Sequence, residues 1–434
     1  MRPLDRKIVQ IMTCLILAAA GVARAADDDW REAANQRIKD LRRGNLRIEV
    51  IDKDGAAIED AKITVQQTRH AFRFGTCVAL HRLLESGADN EQYRNTLKRY
   101  FTMASAEDEL KWGPWNGEFD PVRFAPRFKP ENFNRDVTFA GLKWMKDNGF
   151  YIRGHTLIWP GYRRMPKFVA RYRDDPTGLL QIVMDHIAQE TYAVKDFIDE
   201  WDVVNESVWD HDLQDAFGPE VLADFFKETR GILPNTRLII NETNLTAGAK
   251  DKVHSRAVMK KYLQMLQAHD APVQGLGLQG HVRWNQRLSM PEILAYYDQI
   301  HELGLGISIT EFDVQGCTEE QLGEYTRDFF IATFSHPAVT CIQIWGFWEG
   351  DIQRPQYAPF RKDWTLRPNG QAYIDLVFGQ WWTKEEGRSN KDGIFKTPAF
   401  FGDYEVTVQA KDKTVSKKVT LPEATKIKNV VVVL

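Results

Sequence analysis

Cysteine is scarce in this chain, with four in 434 residues. One of them, Cys14, falls in the amino-terminal leader described below. The other three, Cys77, Cys317 and Cys341, are odd in number and follow no metal-ligand spacing, so neither a disulfide framework nor a structural zinc site organises the fold. Cys77 and Cys341 lie in apolar runs and read as buried thiols, although an export compartment leaves a bridge between two of the three open. An excess of positive charge is also missing: 57 Lys and Arg stand against 60 Asp and Glu, a net charge of −3. There is no basic block to hold nucleic acid or an acidic membrane surface. Beyond residue 22 no apolar stretch is long enough to cross a bilayer. A Gly-rich phosphate turn is absent after the first strand of the alternating region, where Phe74-Gly75-Thr76-Cys77 stands, which argues against a dinucleotide-binding open sheet. No metal or other cofactor is called for by any spacing of ligands.

What is present begins with a leader. Arg2, Arg6 and Lys7 precede a mostly apolar run, Ile8 to Val22, and Ala23-Arg24-Ala25 has the small-x-small cleavage pattern. Residues 1–25 read as a signal peptide, which places the mature chain in the periplasm or outside the cell. Its removal takes away Arg2, Arg6, Lys7, Arg24 and Asp5, leaving 53 basic against 59 acidic residues. A neutral polymer suits such a surface better than a polyanion. The 13 Trp and 13 Tyr point weakly the same way, since flat aromatic faces stack on sugar rings. A monomer is expected.

Residues 26–69 open with a polar helical lead-in, and Leu46-Arg47-Ile48-Glu49-Val50 then alternates as a half-buried strand does. Asp54-Gly55 signals a turn and Ile63-Thr64-Val65 reads as the returning strand. Residues 383–434 alternate in the same way through Asp403 to Val408, Val415 to Val419 and Val430 to Val433. An isolated hairpin is marginal in water, so the two ends are expected to pack together as one small β-sandwich-like domain. Between them, residues 70–382 alternate strand and helix. The strand-like runs are Phe72–Ala79, Phe101–Ala104, Ile152–Ile158, Asp202–Asn205, Arg237–Asn241, Gln274–Gln279, Gly306–Thr310 and Thr340–Trp345. Helical patterns such as Val137–Lys146, Leu179–Phe197, Val253–Ala268 and Pro291–Leu303 separate them. Eight such units over roughly 300 residues predict an α/β fold, a (β/α)8 TIM barrel.

In such a barrel, function gathers at the carboxyl ends of the strands. Glu107, Asp108 and Lys111 follow the second run, and His155 and Trp159 end the third. Asn205 and Glu206 end the fourth, Glu242 and Asn244 follow the fifth, and Gln279 and His281 the sixth. Glu311 and Asp313 end the seventh, and Trp345 and Trp348 the eighth. A strand-end Glu is commonly just solvated, but two strands that each deliver one to the same face suggest paired-carboxylate chemistry. Glycosidic cleavage needs one carboxyl protonated to release the leaving oxygen and one ionised to attack or to stabilise the cationic transition state. His281 is within reach of Glu311 and Asp313 and would hold Glu311 as a carboxylate. Asn205 offers an amide to a sugar hydroxyl. A carboxyl separation of about 5–5.5 Å gives retention and about 6.5–9.5 Å inversion.

The ordered motifs Arg153-Gly154-His155-Thr156-Leu157-Ile158-Trp159, Trp201-Asp202-Val203-Val204-Asn205-Glu206, Gly277-Leu278-Gln279-Gly280-His281 and Ile309-Thr310-Glu311-Phe312-Asp313 resemble glycoside hydrolase family 10, the retaining endo-β-1,4-xylanases. Glu107 to Trp112 and Trp345-Gly346-Phe347-Trp348 fit the same family, and the Trp381-Trp382-Thr383 segment resembles its plant-type branch. The resemblance spans about residues 70–380. It implies Glu206 as acid/base, Glu311 as nucleophile, His281 and Asp313 as supports of Glu311, and Asn205 as the partner of the 2-hydroxyl. It places Glu107, Asp108, Lys111, His155, Trp159, Gln279 and Trp345 along the glycone subsites, with xylan or a related β-glycan as the partner.

The chain departs from the family pattern at several of these positions. Asp108 stands where the family has Asn, Pro160 where it has His, and Tyr162 where it has Gln. Glu242-Thr243 replaces Asp-Tyr, and the second tryptophan beyond Trp345 is absent from its usual place, with Trp348 as the candidate substitute. These changes bear on substrate choice and leave two alternatives: a retaining glycosidase acting on mixed-linkage β-glucan or decorated xylan, and a carbohydrate-binding barrel without activity. The presence of both glutamates argues against the second.

Overall fold

Buried parallel strands are near-continuous apolar runs, and the eight runs between residues 72 and 345 meet edge to edge. The computed structural model describes residues 29–118, 134–248 and 250–434; the expected leader lies outside them. Two strands come first, β1 (Arg43–Ile51) and β2 (Lys62–His70). The barrel follows with β3 (Arg73–Val78), β4 (Met103–Ala106), β5 (Tyr151–Gly154), β6 (Glu200–Asn205), β7 (Arg237–Glu242) and β8 (Gly275–Leu278). A short β9 (His281–Arg283), then β10 (Gly306–Gln315) and β11 (Val339–Ile344), complete it. The strands pair in the order β11-β3-β4-β5-β6-β7-β8-β10, and β10 pairs with β11 to close the ring. Every residue of β6 is buried.

Helices fill the returns between strands, and their ends are written in the sequence. Asp175 caps the helix Pro176–Val194, accepting a hydrogen bond from the Gly178 amide, with Pro at the first helical position. Capping boxes open Met290–His301 (Ser289 with Glu292) and Glu319–Phe334 (Thr318 with Gln321). Among the described residues no helix is long and apolar enough to cross a membrane.

The barrel interior is polar near its amino-terminal end. Arg153 Nε donates to Glu200 Oε1 at 2.7 Å and Arg153 Nη2 to Asp202 Oδ1 at 2.5 Å, while Arg237 pairs with the other Glu200 oxygen. Room for that guanidinium comes from glycine: a Cβ on Gly275 or Gly306 would stand 2.4 or 2.7 Å from Arg237 Nη2.

Five strands follow the barrel: β12 (Lys384–Arg388), β13 (Ile394–Phe400), β14 (Gly402–Ala410), β15 (Lys413–Leu421) and β16 (Ile427–Val433). They join β1 and β2 in two sheets, β13-β1-β16 and β12-β2-β14-β15, that share a core including Ile48, Val50, Ile63, Val65, Tyr404, Val406 and Val432. This is the expected sandwich of the two chain ends, with one correction. β1 and β2 do not return on each other as a hairpin. Each inward face needs a full sheet across from it, so β1 goes to one sheet, antiparallel to β13 and parallel to β16, and β2 to the other. Phe401 and Tyr404 are buried there, and Phe400 is buried in the core of the barrel. Cys77, Cys317 and Cys341 form no disulfide, and the first and last are buried in barrel strands.

Candidate active site

β6 ends in Asn205, and Glu206 follows with φ of +54°, the left-handed region that non-glycine residues seldom occupy. Its amide donates to Asn241 O at 2.9 Å, which ties the turn to the end of β7. The seventh barrel strand runs further than its apolar stretch predicts, through Gln315, so Glu311 and Asp313 lie inside β10 and not beyond its end. The short β9 pairs with this extension and sets His281 opposite Asp313.

Amides connect the two glutamates. Gln279 Nε2 donates to Glu206 Oε1 at 2.9 Å and approaches Asn205 Oδ1 at 3.4 Å. Asn241 Nδ2 donates to both Asn205 Oδ1 at 2.9 Å and Glu311 Oε1 at 2.8 Å. Asn241 Oδ1 in turn accepts from Thr310 Oγ1 at 2.8 Å, and a Cβ on Gly277 would stand 2.4 Å from it, so glycine keeps that space clear. Asn205 has its oxygen occupied, but its Nδ2 is buried and has no partner. A buried amide donor without an acceptor is costly, and it suits a hydroxyl acceptor brought by a ligand.

The two carboxyls experience opposite surroundings. Burial pushes Glu206 above the ordinary carboxylate range, and the charges of Glu311 and Asp210 add to this against the opposing Gln279 and Arg164. Burial would also raise Glu311, but His155, His281 and Asn241 outweigh it and hold that group down at about 2. His281 Nε2 lies 3.1 Å from Glu311 Oε2 and its Nδ1 lies 2.9 Å from Asp313 Oδ2. Burial draws His281 down, but the two carboxylates prevail and lift it to about 9, so it is an imidazolium that donates both ways at neutral pH. His155 Nδ1 meets Asp202 Oδ2 at 2.8 Å and stands 4.0 Å from Glu311 Oε1. A carboxyl raised by burial and a second held in its charged form, joined through shared amides, is the arrangement that pairing an acid with a nucleophile or base requires.

The remaining expected residues surround this centre. Trp345 presents its ring edge-on to His155 at 5.3 Å and to His281 at 6.3 Å. Glu107 and Asp108 are buried after β4, and Lys111 Nζ is bonded to Asp108 Oδ1. Lys111 Nζ also lies 5.9 Å from the Trp159 ring, over which Arg164 sits at 3.8 Å. Trp348 is a correction. It is 3% exposed, stacked on Trp364 at 4.7 Å, and a Cβ on Gly350 would stand 2.2 Å from its ring. Its faces are used by the protein, so it is a packing residue and not a sugar platform.

Four residues of the site were not anticipated as such. Asn241 appeared only as the end of an apolar run. Asp202 orients His155. Arg354 donates to Asp313 Oδ2 at 2.5 Å and lies 2.9 Å from His281 Nδ1. Arg164 Nη2 approaches Glu206 Oε2 at 3.5 Å, and its Nε donates to Asp210 Oδ2 at 3.1 Å. The two arginines lie in loops, where no period marks them; the surplus of cations in Arg163-Arg164 is the only available signal. Glu242 is the buried last residue of β7, and burial drives it well above the carboxylate range against the opposing amides of Val208 and Thr243; it accepts from those amides at 2.9 Å and 3.0 Å, which makes it a support beneath the Glu206 turn. Among the described residues no cluster of His, Cys, Asp or Glu is arranged to hold a metal ion.

The sequence model of glycosyl hydrolase family 10 matches residues 64–370. An endo-1,4-beta-xylanase 5-like protein of Arabidopsis thaliana is 28% identical over 323 residues, 74% of this chain and 53% of that protein. The anti-sigma-I factor RsgI6 of Acetivibrio thermocellus is 26% identical over 385 residues, 88% of this chain and 47% of that protein. The chain thus spans about half the length of these curated relatives. Among solved structures, native xylanase 10B of Thermotoga maritima matches with a TM-score of 0.59 at 23% identity, over 71% of this chain and 95% of that one.

Proposed function

The chain belongs to glycosyl hydrolase family 10, and from that membership and the divided carboxyl pair we propose that it is a retaining endo-β-1,4-xylanase, exported by its leader and acting on internal bonds of xylan. The observation that carries this reading is the opposite displacement of Glu206 and Glu311 within one hydrogen-bonded cluster.

The roles follow from the surroundings. Glu311, charged and held by Asn241 and His281, attacks the anomeric carbon. As the carbon–oxygen bond breaks, Glu206 gives its proton to the leaving glycosidic oxygen. The glycosyl ester neutralises Glu311, and this removes one of the charges that kept Glu206 protonated. Glu206, now a carboxylate, takes a proton from water; the water oxygen bonds to the anomeric carbon and Glu311 leaves as carboxylate. The open Asn205 Nδ2 donates to the 2-hydroxyl of the sugar under attack. Asp313 and Arg354 fix the ring of His281, and Asp202 fixes that of His155. Lys111, Glu107, Asp108, Trp159, Gln279 and Trp345 line the glycone side.

Two variants test these roles on xylan and on an aryl xyloside with a good leaving group. Glu311→Ala is expected to abolish turnover of both. Glu206→Ala is expected to lose roughly 10²–10⁴-fold on xylan but to keep the first step on the aryl substrate, and added azide is expected to yield a glycosyl azide of retained configuration. Unimpaired xylan cleavage by Glu311→Ala would remove that residue from its role. Export is checked by sequencing the amino terminus of the secreted protein, expected at Ala26.

A second reading is favoured by one feature. The glycone-side Asp108, in place of the family's Asn, is tied up with Lys111, so the hydroxyls there meet an ion pair. This suits a retaining glycosidase that accepts mixed-linkage β-glucan or decorated xylan, and equal turnover of β-glucan and xylan would establish it over the narrower activity.

A further inference from the structure

A cavity of about 190 Å³ lies at the opposite end of the barrel from the two glutamates, between the barrel and the small β domain. Its walls come from the end of β2, the last turn of the helix Ala88–Tyr100, the residues leading into β4 and β5, and the Val377–Trp382 segment. Arg69, Lys98 and Arg99 line it, and no Asp or Glu does. The same three cations have no carboxylate partner among the described residues. In a chain with a net negative charge, three cations gathered without an acid are unusual. Helix-end electrostatics favours Lys98 and Arg99 in a last turn, but it does not account for Arg69. The Arg69 guanidinium is held in place by the Gly149 carbonyl at 2.6 Å and the Thr102 carbonyl at 3.3 Å, and neither neutralises it.

The other wall is aromatic. Tyr100 meets Phe378 at 5.4 Å and Phe378 meets Trp382 at 5.2 Å, and all three rings are partly exposed. Arg99 lies over the Tyr100 ring at 5.0 Å. Flat rings offer stacking area and the cations offer charge-assisted hydrogen bonds to a carboxylate. At about 190 Å³ the space is below the range of roughly 300–1,000 Å³ typical of drug-sized ligands, so it admits one ring and not an oligomer.

We infer that this cavity binds a single acidic sugar, a uronosyl unit, at a second site remote from the carboxylate pair. The choice of a sugar rests on the polysaccharide-cleaving reading above; the requirement for a ring bearing an anion rests on the cavity itself. Occupied by a side group of an acidic polymer, the site would hold the protein to its substrate while the cleft works elsewhere along the chain.

The test is a titration of the full chain with methyl β-D-glucuronide, followed by tryptophan fluorescence and ligand-observed NMR. Methyl β-D-glucoside (ring without charge) and inorganic phosphate (charge without ring) run in parallel, as does hydrolysis of undecorated xylan. Saturable binding of the glucuronide is expected, about tenfold or more tighter than the glucoside, with a similar loss in the Lys98→Glu/Arg99→Glu double variant. Xylan hydrolysis by that variant should equal that of the parent. Three results would overturn the inference: no glucuronide binding, phosphate binding as tightly as glucuronide, or full glucuronide binding by the double variant. Each of these alongside intact hydrolysis leaves the activity standing and removes only this site. Bound glucuronide without any hydrolysis does the reverse.

Discussion

Arg164→Met is the substitution whose effect the site geometry defines most sharply. It keeps much of the alkyl stem and removes the charge whose Nη2 lies 3.5 Å from Glu206 Oε2. Side-chain exposures of 21% and 14% place this pair between water and protein interior. With an effective dielectric of about 40–80, the lost attraction is about 1.2–2.4 kcal/mol. At 1.36 kcal/mol per unit this corresponds to a shift of about 1–2 pH units. Arg164 stabilises the ionised form of Glu206, so its removal favours the protonated form and raises the pKa. Asp210 reinforces the sign: it loses the bond from Arg164 Nε at 3.1 Å, though Arg163 remains on it at 2.6 Å, and its less compensated charge pushes Glu206 higher still. The acid must carry its proton, so activity falls as pH rises through that pKa. The alkaline limb of kcat/KM, which reports the free enzyme, is therefore expected to move up by about one unit or more on a soluble xylo-oligosaccharide at constant ionic strength. An alkaline limb that stays in place or moves down would mean that Glu206 does not set it, and the acid assignment would fail.

Other perturbations test separate parts of the argument. Asn241→Ala removes the donor at 2.8 Å from Glu311 Oε1; a hydrogen bond to a charged group is worth about 1.5–3 kcal/mol, so Glu311 should rise from about 2 by roughly 1–2 units, and the acid limb of the pH profile should follow it upward. Glu200 is buried, and although burial alone would raise it, Arg237 and Arg153 hold it at about 2. A depressed carboxylate stabilises the fold above its unfolded pKa and loses that contribution as pH falls toward about 2, so Glu200→Gln should flatten the loss of stability between about pH 4.5 and 2 in denaturant titrations. Ile48→Ala empties a fully buried place in the sandwich core and is expected to cost about 2–5 kcal/mol, read as a lower denaturant midpoint.

The barrel was legible because its strands have to be apolar on both faces. Runs such as Val203-Val204 and Ile307 to Ile309, spaced by capped helices, leave few other arrangements. The polar residues at their ends were legible for the same reason, since a carboxylate that ends an apolar strand stands out by contrast. The extension of β10 past Thr310 did not stand out, because Glu311 and Asp313 break the apolar pattern while the backbone carries on beside β9. Nor did the separation of β1 from β2. Alternation identifies a strand and its inward face but not its neighbour, and here β1 pairs with segments from the far end of the chain, Phe400 against Arg43 and Val430 against Ile48. Trp348 shows the same limit in a side chain: an indole suited to stacking on a sugar is equally suited to stacking on Trp364.

Residue type and order thus settled the eight barrel strands and placed Glu206 and Glu311 where two of those apolar runs end. The opposite displacement of those two carboxyls came from folding. Ionisation depends on burial and on charges a few ångströms away, and the groups that set it, Asn241 and His281 on Glu311, Gln279 and Arg164 on Glu206, come from strands and loops that only the closed barrel brings together.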